Sequence, residues 1–182
     1  MTKKVQWFTS DNLGAPKLTN DWGSLLNVID LCLINGFADQ PVTSLQVQDG
    51  VGILTFANPH KIQQFQWVQI SGADDPALNN EFRVLGVPTG NTLEFLVDSP
   101  DQMAAGTILC KLSAAGWEKV FSATNKGVYR AKNAVANPYF LRIDNSLDPA
   151  YTTTYAKFAK VGILETCSDI DDIGAVQAPY DA

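Results

Sequence analysis

Between residues 44 and 112 apolar and polar positions alternate. The segments SLQV, VGILTFA, QWVQISG, EFRVLGV, TLEFLVD and GTILCKL are short and rich in β-branched and aromatic residues. QDG, NPHK, GADDPALNN, PTGN and SPDQMAAG separate them, and their Gly, Pro, Asn and Asp residues favour turns. Strands spaced about ten residues apart with turn signals between them predict a sandwich or barrel of five or six strands. In QWVQISG the alternation sets Trp67, Gln69 and Ser71 on one face and Val68 with Ile70 on the other, so the second pair is assigned to the core. Ile53, Leu54, Phe82, Val84, Phe95 and Ile108 are likewise expected to face mostly inward. Adjacent Ile53 and Leu54 cannot share one face without a bulge, so one of them should be the more exposed.

Upstream the period lengthens. VQWFT (5–9) predicts a short strand, and DNLGAPKLTND (11–21) is too rich in turn residues for regular structure. A helix is expected from Trp22 to Asn35, capped by Asp21, with Trp22, Leu25, Leu26, Ile29 and Leu33 on one apolar stripe. Val28, Leu31, Cys32 and Ile34 widen that stripe beyond an ordinary amphipathic face, so the helix needs cover on two sides. Asn35 and Gly36 end it as a left-handed cap, with Phe37 placed to fold back on the last turn. Trp22, Leu31, Ile34 and Phe37 are therefore the candidate assembly contacts. Leu31 and Ile34 point away from the Leu25, Ile29 and Leu33 stripe, so a neighbouring subunit or the chain's own sheets must cover them.

From residue 113 the apolar segments VYRA, YFLRID and YAKFAKVGILET lie between polar loops. They predict three or four antiparallel strands, continuing a sheet begun at residues 5–9, and an irregular tail. The expected fold is thus mainly β: a small β-sandwich or barrel module, an N-terminal helix and a C-terminal antiparallel sheet. The expected organisation is 1–43 as strand, loop and helix, 44–112 as the β-module, and 113–182 as the C-terminal β region.

Composition narrows the function. Charged residues make up 18% of the 182, against roughly 25% in ordinary globular chains, while Asn, Gln, Ser and Thr abound. A neutral, polar surface is expected, suited to a protein covered by neighbours. The net charge of −6 and the lack of clustered Lys and Arg argue against direct nucleic-acid binding. The longest apolar stretch, Leu25 to Ile34, is broken by Asn27 and Asp30 and falls far short of the roughly 20 residues of a membrane span. MTKKVQW is followed by no apolar signal core, so synthesis in a cytoplasm is expected. Cys32, Cys110 and Cys167 form no CxxC pair, which disfavours a disulfide framework or a zinc site.

Candidate chemistry is sparse. His60, the sole histidine, falls in a predicted turn and is expected to be solvent-exposed. Any Ser/His/Asp or Cys/His site would have to use it, and no GxSxG elbow accompanies it. The run Ser168, Asp169, Asp171, Asp172 lacks the glycine and glutamate of an EF-hand loop and reads as a solvated acidic turn. Asp74, Asp75, Asp98 and Asp101 suit turns, and no phosphate-cradling glycine loop occurs. An exposed aromatic pair would suit a sugar, although Trp22, Trp67 and Trp117 each have a structural use. No catalytic, cofactor-binding or metal-ligating residue is expected.

Three blocks, taken in order, carry a resemblance. LGAPKLTNDWGSLLNVIDLCLINGF is similar to an opening common in structural proteins of tailed phages and prophages, in which a GAP turn precedes a GSLI-type helix ending in GF. ILTFANPHKIQQFQWVQISGADDPALNNEFRVLGVPTGNTLEFLV resembles a PALN-type β-module of virion proteins, although Asn80 and Glu81 follow Leu78 and Asn79 where glycine is often found. GWEKVFSATNKGVYRA, followed by YFLRIDNS, is similar to the segment after that module. The resemblance spans roughly residues 12–165. It implies a virion structural protein, as a tail, neck or baseplate component or a capsid decoration protein, that is made in the host bacterial cytoplasm and binds other phage structural proteins and copies of itself. It carries no catalytic residues. The competing expectations are a host-attachment or carbohydrate-binding module, and a tail-associated hydrolase using His60 or Glu118.

Overall fold

The computed structural model describes residues 5–133, 135, 136, 138–154, 157–173 and 177–179. The chain forms two compact units, Met1–Ala15 with Gly36–Ala115 and Pro16–Asn35 with Gly116–Ala182. The fold is mainly β with one short α-helix, as the alternating segments predict.

The first unit contains β1 (Phe37–Pro41), β2 (Ser44–Gln48), β3 (Val51–Thr55), β4 (Trp67–Ala73), β5 (Glu81–Thr89), β6 (Thr92–Leu96), β7 (Gln102–Met103) and β8 (Gly106–Leu112). All pair antiparallel, in the order β1-β8-β4-β5-β6-β3-β2-β7. The two ends of that order meet. β1 runs on into β2 and β7 into β8, and these two long strands pair with each other from Val47 opposite Gln102 to Phe37 opposite Leu112. Between those points the Ala104 amide donates to Leu45 O (2.8 Å) and the Val42 amide to Ile108 O (3.0 Å). The ladder therefore closes on itself as a six-stranded barrel. Closure depends on sharp local backbone. Asp49 and Gly50 both have positive φ (50° and 74°) in the two-residue β2–β3 turn. Gly72 and Gly106 (φ 80° and 114°) sit where the β4–β8 register slips.

The core is the inward half of each strand. Val68, Ile70, Val84, Phe95 and Ile108 are buried, and Phe82, half-buried, has its ring centroid 4.4 Å from that of Phe95. Leu54 is buried and Ile53 only half-buried, which resolves the adjacent pair without a bulge.

Residues 5–9 form no strand. A side chain replaces the expected ladder: Gln6 Nε2 donates to the carbonyls of Trp67 (2.9 Å) and Ser113 (2.6 Å), while Oε1 accepts the Trp67 amide (2.9 Å). One amide thus pairs with strand backbone in place of a peptide group. Farther along, Asn12 and Gln66 form a buried reciprocal amide pair, with Asn12 Nδ2 to Gln66 Oε1 at 3.0 Å and Gln66 Nε2 to Asn12 Oδ1 at 2.9 Å. Asn12, Gln40, Gln66 and Asn145 are all buried. Part of the amide content that predicts a polar surface is therefore spent inside, where paired amides fix loops.

The second unit contains helix α1 (Ser24–Asp30), continued by a π-helical turn at Leu31–Asn35. Its sheet has the order β13-β12-β11-β10-β9, from β9 (Trp117–Ala123), β10 (Lys126–Ala131), β11 (Phe140–Asp144), β12 (Lys160–Leu164) and β13 (Gln177–Ala178). The helix starts later than expected. Gly23 occupies the cap at φ 82° without a side-chain bond, and its amide donates to Asn145 Oδ1 (2.8 Å), while Asp21 accepts from Thr19 Oγ1 instead. Gly36 has φ 70°, as the left-handed ending requires.

Candidate functional site

The α1 helix and the C-terminal sheet share one small core. Leu26, Tyr129 and Ile143 are its buried centre, with Leu25, Ile29, Ile34, Trp117, Leu141 and Ala159 packed around it. Asp30 fastens the helix to the sheet. Its Oδ1 accepts from Tyr129 Oη (2.7 Å) and its Oδ2 from Lys119 Nζ (2.8 Å), and Lys119 Nζ also lies 5.4 Å from the Tyr129 ring centroid. Burial, and then the Asp30 carboxylate, push the Tyr129 phenol well above its ordinary range. The Asp that breaks the apolar run in the sequence is thus the polar anchor of the helix.

The four expected assembly contacts are divided between the two units. Trp22 lies just before the helix, half-buried, with Lys157 Nζ 5.9 Å from its ring centroid. Leu31 and Ile34 stand in the π turn, both half-buried, and Ile34 packs against the Leu26 centre. A π turn takes in more residues than an α turn, so positions after Asp30 leave the phase of the earlier stripe. Phe37 belongs to the barrel: it is buried, opens β1 opposite Leu112, and its ring centroid lies 5.3 Å from that of Phe8.

A different apolar surface emerges on the sheet. Register aligns Tyr129, Leu141 and Ile163 across β10, β11 and β12 on the face that carries the Leu26 centre. Cover ends before β12, where Ile163 is 50% and Val161 43% exposed, and Tyr139 beside them is 43% exposed. Trp117, Ala131, Ala136, Tyr139, Phe140, Leu141 and Ile163 line an open groove of about 430 Å³. The sequence signal was the segment KVGIL, apolar on both faces of a strand: Leu164 is buried while Val161 and Ile163 are not.

The chemically versatile residues are engaged in the fold. His60 is buried rather than exposed, because the NPHK turn folds inward. Its Nδ1 accepts the Ile62 amide (3.0 Å), its Nε2 meets the Thr92 carbonyl (3.3 Å), and its ring centroid lies 5.1 Å from that of Phe56. Burial lowers its pKa, against a smaller upward pull from the Thr92 and Thr89 carbonyls. Burial raises the thiols of Cys32 and Cys167 and pushes Cys110 up to about 12, so the neutral thiol is favoured at all three. Asp171 accepts from Lys126 Nζ (2.6 Å) and Arg142 NH2 (3.4 Å), and Arg142 Nε donates to the Ile170 carbonyl (2.9 Å). Asp172 accepts from the amide and hydroxyl of Ser168, and Asp169 from the Asp171 amide. The acidic run is thus a turn with Ser168, Asp169 and Asp171 exposed, as expected, and Asp171 in addition pairs with the buried Arg142. Glu118 pairs with Arg130 (2.8 Å), and Asp75 accepts from Ala77 N, Gln102 and Ser99. Among the described residues, no three of His, Cys, Asp and Glu stand together in a way that would hold a metal ion. No described helix is long and apolar enough to cross a membrane.

No family model, curated protein or solved structure matches this chain.

Proposed function

We propose that this chain is a structural component of a tailed bacteriophage particle, a tail, neck or baseplate protein or a capsid decoration protein. It is made in the host cytoplasm and acts in the virion by protein–protein assembly with other phage structural proteins and further copies of itself. The observation that carries the reading is the incompletely covered apolar face of the C-terminal sheet, where Val161 is exposed and Tyr139 and Ile163 line an apolar groove. Contiguous apolar surface of this kind gains free energy when a neighbour removes it from water. A stable contact buries about 1,600 Å² in all, with an apolar centre and a polar rim. The order of the three sequence blocks supports a virion setting, and the engagement of His60 and the acidic residues in the fold supports a role without chemistry.

The test is Ile163→Asp in the producing phage or prophage. Half of the Ile163 side chain already meets solvent, so the variant should stay folded, within about 1 kcal/mol of the parent. At an assembled interface the same carboxylate would be desolvated without a partner, costing several kcal/mol. Purified particles analysed by mass spectrometry should lack the variant, which accumulates as soluble protein. Incorporation at the parental level would overturn the reading.

A further inference from the structure

We propose that residues 165–173 form a salt-sensitive strap, latched by ion pairs across the outer face of the C-terminal sheet, whose release uncovers a second apolar strip. Register sets Val128, Arg142 and Gly162 side by side on β10, β11 and β12, with Phe140 beside Leu164 and Asp144 between Lys126 and Lys160. These positions alternate with Tyr129, Leu141 and Ile163, so they lie on the face away from the helix. Val128 and Leu164 are nevertheless fully buried, and Arg142 is only 8% exposed. The chain that follows β12 supplies the cover. It leaves Leu164, reaches Arg142 on β11, whose Nε donates to the Ile170 carbonyl (2.9 Å), and arrives over β10, where Asp171 accepts from Lys126 Nζ (2.6 Å).

The strap is held mainly by polar contacts. Ile170 is half-buried and Ile173 is 46% exposed, so apolar packing gives it little grip. The Asp171 side chain is 63% exposed, and it meets Lys126 at 2.6 Å and Arg142 at 3.4 Å. Ion pairs so open to water are weak and are screened by salt. The sheet is also prepared for release. Asp144 lies 3.5 Å from both cations, so each keeps a counter-ion when Asp171 leaves, and the Arg142 guanidinium regains water. The strap meanwhile carries its own turn bonds, from the Ser168 amide and hydroxyl to Asp172 and from the Asp171 amide to Asp169, and lifts as one piece.

A closed and an open arrangement close in free energy make a switch that ionic conditions bias. At low ionic strength the latch is shut and the outer face presents charged groups. At high ionic strength the strap lifts and Val128 with Leu164 meets water. This strip lies on the opposite face of the sheet from the groove at Tyr139 and Ile163, so its exposure is a separate event and does not depend on the assembly role.

The three cysteines serve as built-in reporters. Cys167 stands half-buried in the strap, Cys32 half-buried in the π turn, and Cys110 buried in the barrel. The test labels the full chain with N-ethylmaleimide at about pH 8, in about 20 mM and about 1 M NaCl, and follows each thiol by peptide mass spectrometry. In the parent the Cys167 rate should rise roughly threefold or more with salt, while the Cys32 and Cys110 rates stay level. Burial, then Asp172 and Asp169, raise the Cys167 thiol, so Asp171→Asn acts on the latch rather than on thiol acidity. That variant should label Cys167 at the fast rate in both salts and keep the parental melting temperature to within a few degrees. A parental rate indifferent to salt, an Asp171→Asn rate as slow as the parent's, or a variant that keeps the parental salt response would overturn the proposal. So would equal acceleration at Cys32, which would report unfolding of the whole unit. Solvent exchange of the Arg142 Nε proton, followed by NMR on the parent, does not involve the thiol and should quicken with salt. An exchange rate that salt leaves unchanged would overturn the proposal even if the variant fails to fold.

Discussion

Mild acid should destabilise this protein through one residue, His60. Its ring is 1% exposed, and because Nδ1 accepts the Ile62 amide, the proton of the neutral ring is assigned to Nε2, facing the Thr92 carbonyl. A second proton would have to enter at Nδ1, against an N–H already pointing at it, in a buried site. The folded pKa is accordingly held below the ordinary value of about 6.5, chiefly by burial. The unfolded chain then takes up the proton first. Stability is complete above about pH 6.5 and is lost as pH falls below it towards the folded pKa. The slope is limited to one proton, about 1.4 kcal/mol per pH unit, or up to about 2 kcal/mol between pH 7 and 5. Asp144, Asp148 and Asp171 are held below the ordinary carboxylate value, so their contribution is lost only below about pH 4. The interval above that belongs to the single histidine. Urea unfolding followed by tryptophan fluorescence at steps through this interval measures the slope. In His60→Asn the amide oxygen can still accept from Ile62, while the lost Thr92 bond and Phe56 contact cost about 1–3 kcal/mol at pH 7. The variant should show a flat profile between pH 7 and 5. A parental stability that does not change over that range, or a variant that keeps the parental slope, refutes the reasoning.

Other perturbations test the remaining joints. Gly72→Ala places a Cβ on the Thr107 carbonyl oxygen at a φ of 80°, and should destabilise the barrel by roughly 3 kcal/mol or more in urea unfolding. Asp30→Ala removes the acceptor shared by Tyr129 and Lys119, and should cost about 2 kcal/mol with the loss of the helical far-UV signal ahead of the sheet. Because the folded Tyr129 pKa is raised, its contribution is complete below the ordinary tyrosine value of about 10 and is lost as pH rises past it, so the parental melting temperature should fall above about pH 10. Gln6→Ala strips three hydrogen bonds from Trp67 and Ser113 backbone. It should cost about 1–3 kcal/mol and speed hydrogen exchange at the Trp67 amide more than at the Ile70 amide, which donates to Asn80 O.

Much of the local architecture was legible in the sequence. Alternation over residues 44–112 located the barrel strands and assigned Val68 and Ile70 to its core, because side-chain direction in a strand repeats every two residues whatever the partner. The left-handed ending at Gly36 could be read because only a residue without a Cβ is at ease there. The tight two-residue turn at Asp49 and Gly50 followed from the same chemistry. Decisions that join distant residues could not be read in this way. Nothing local says that Gln6 will bond to Trp67 and Ser113, or that Asn12 will pair with Gln66 across a sequence separation of 54, because an amide suits a solvated loop equally well. The burial of His60 rests on cover by Phe56 and on the Thr92 carbonyl of a hairpin 32 residues away. Asp30 looked like a break in an apolar run until Lys119 and Tyr129 reached it. Periodicity therefore determined which residues turn inward and where the chain turns. Tertiary structure alone decided that the ladder closes on itself, which polar groups are buried and which apolar faces stay uncovered, since each depends on contacts between segments whose separation leaves no periodic trace.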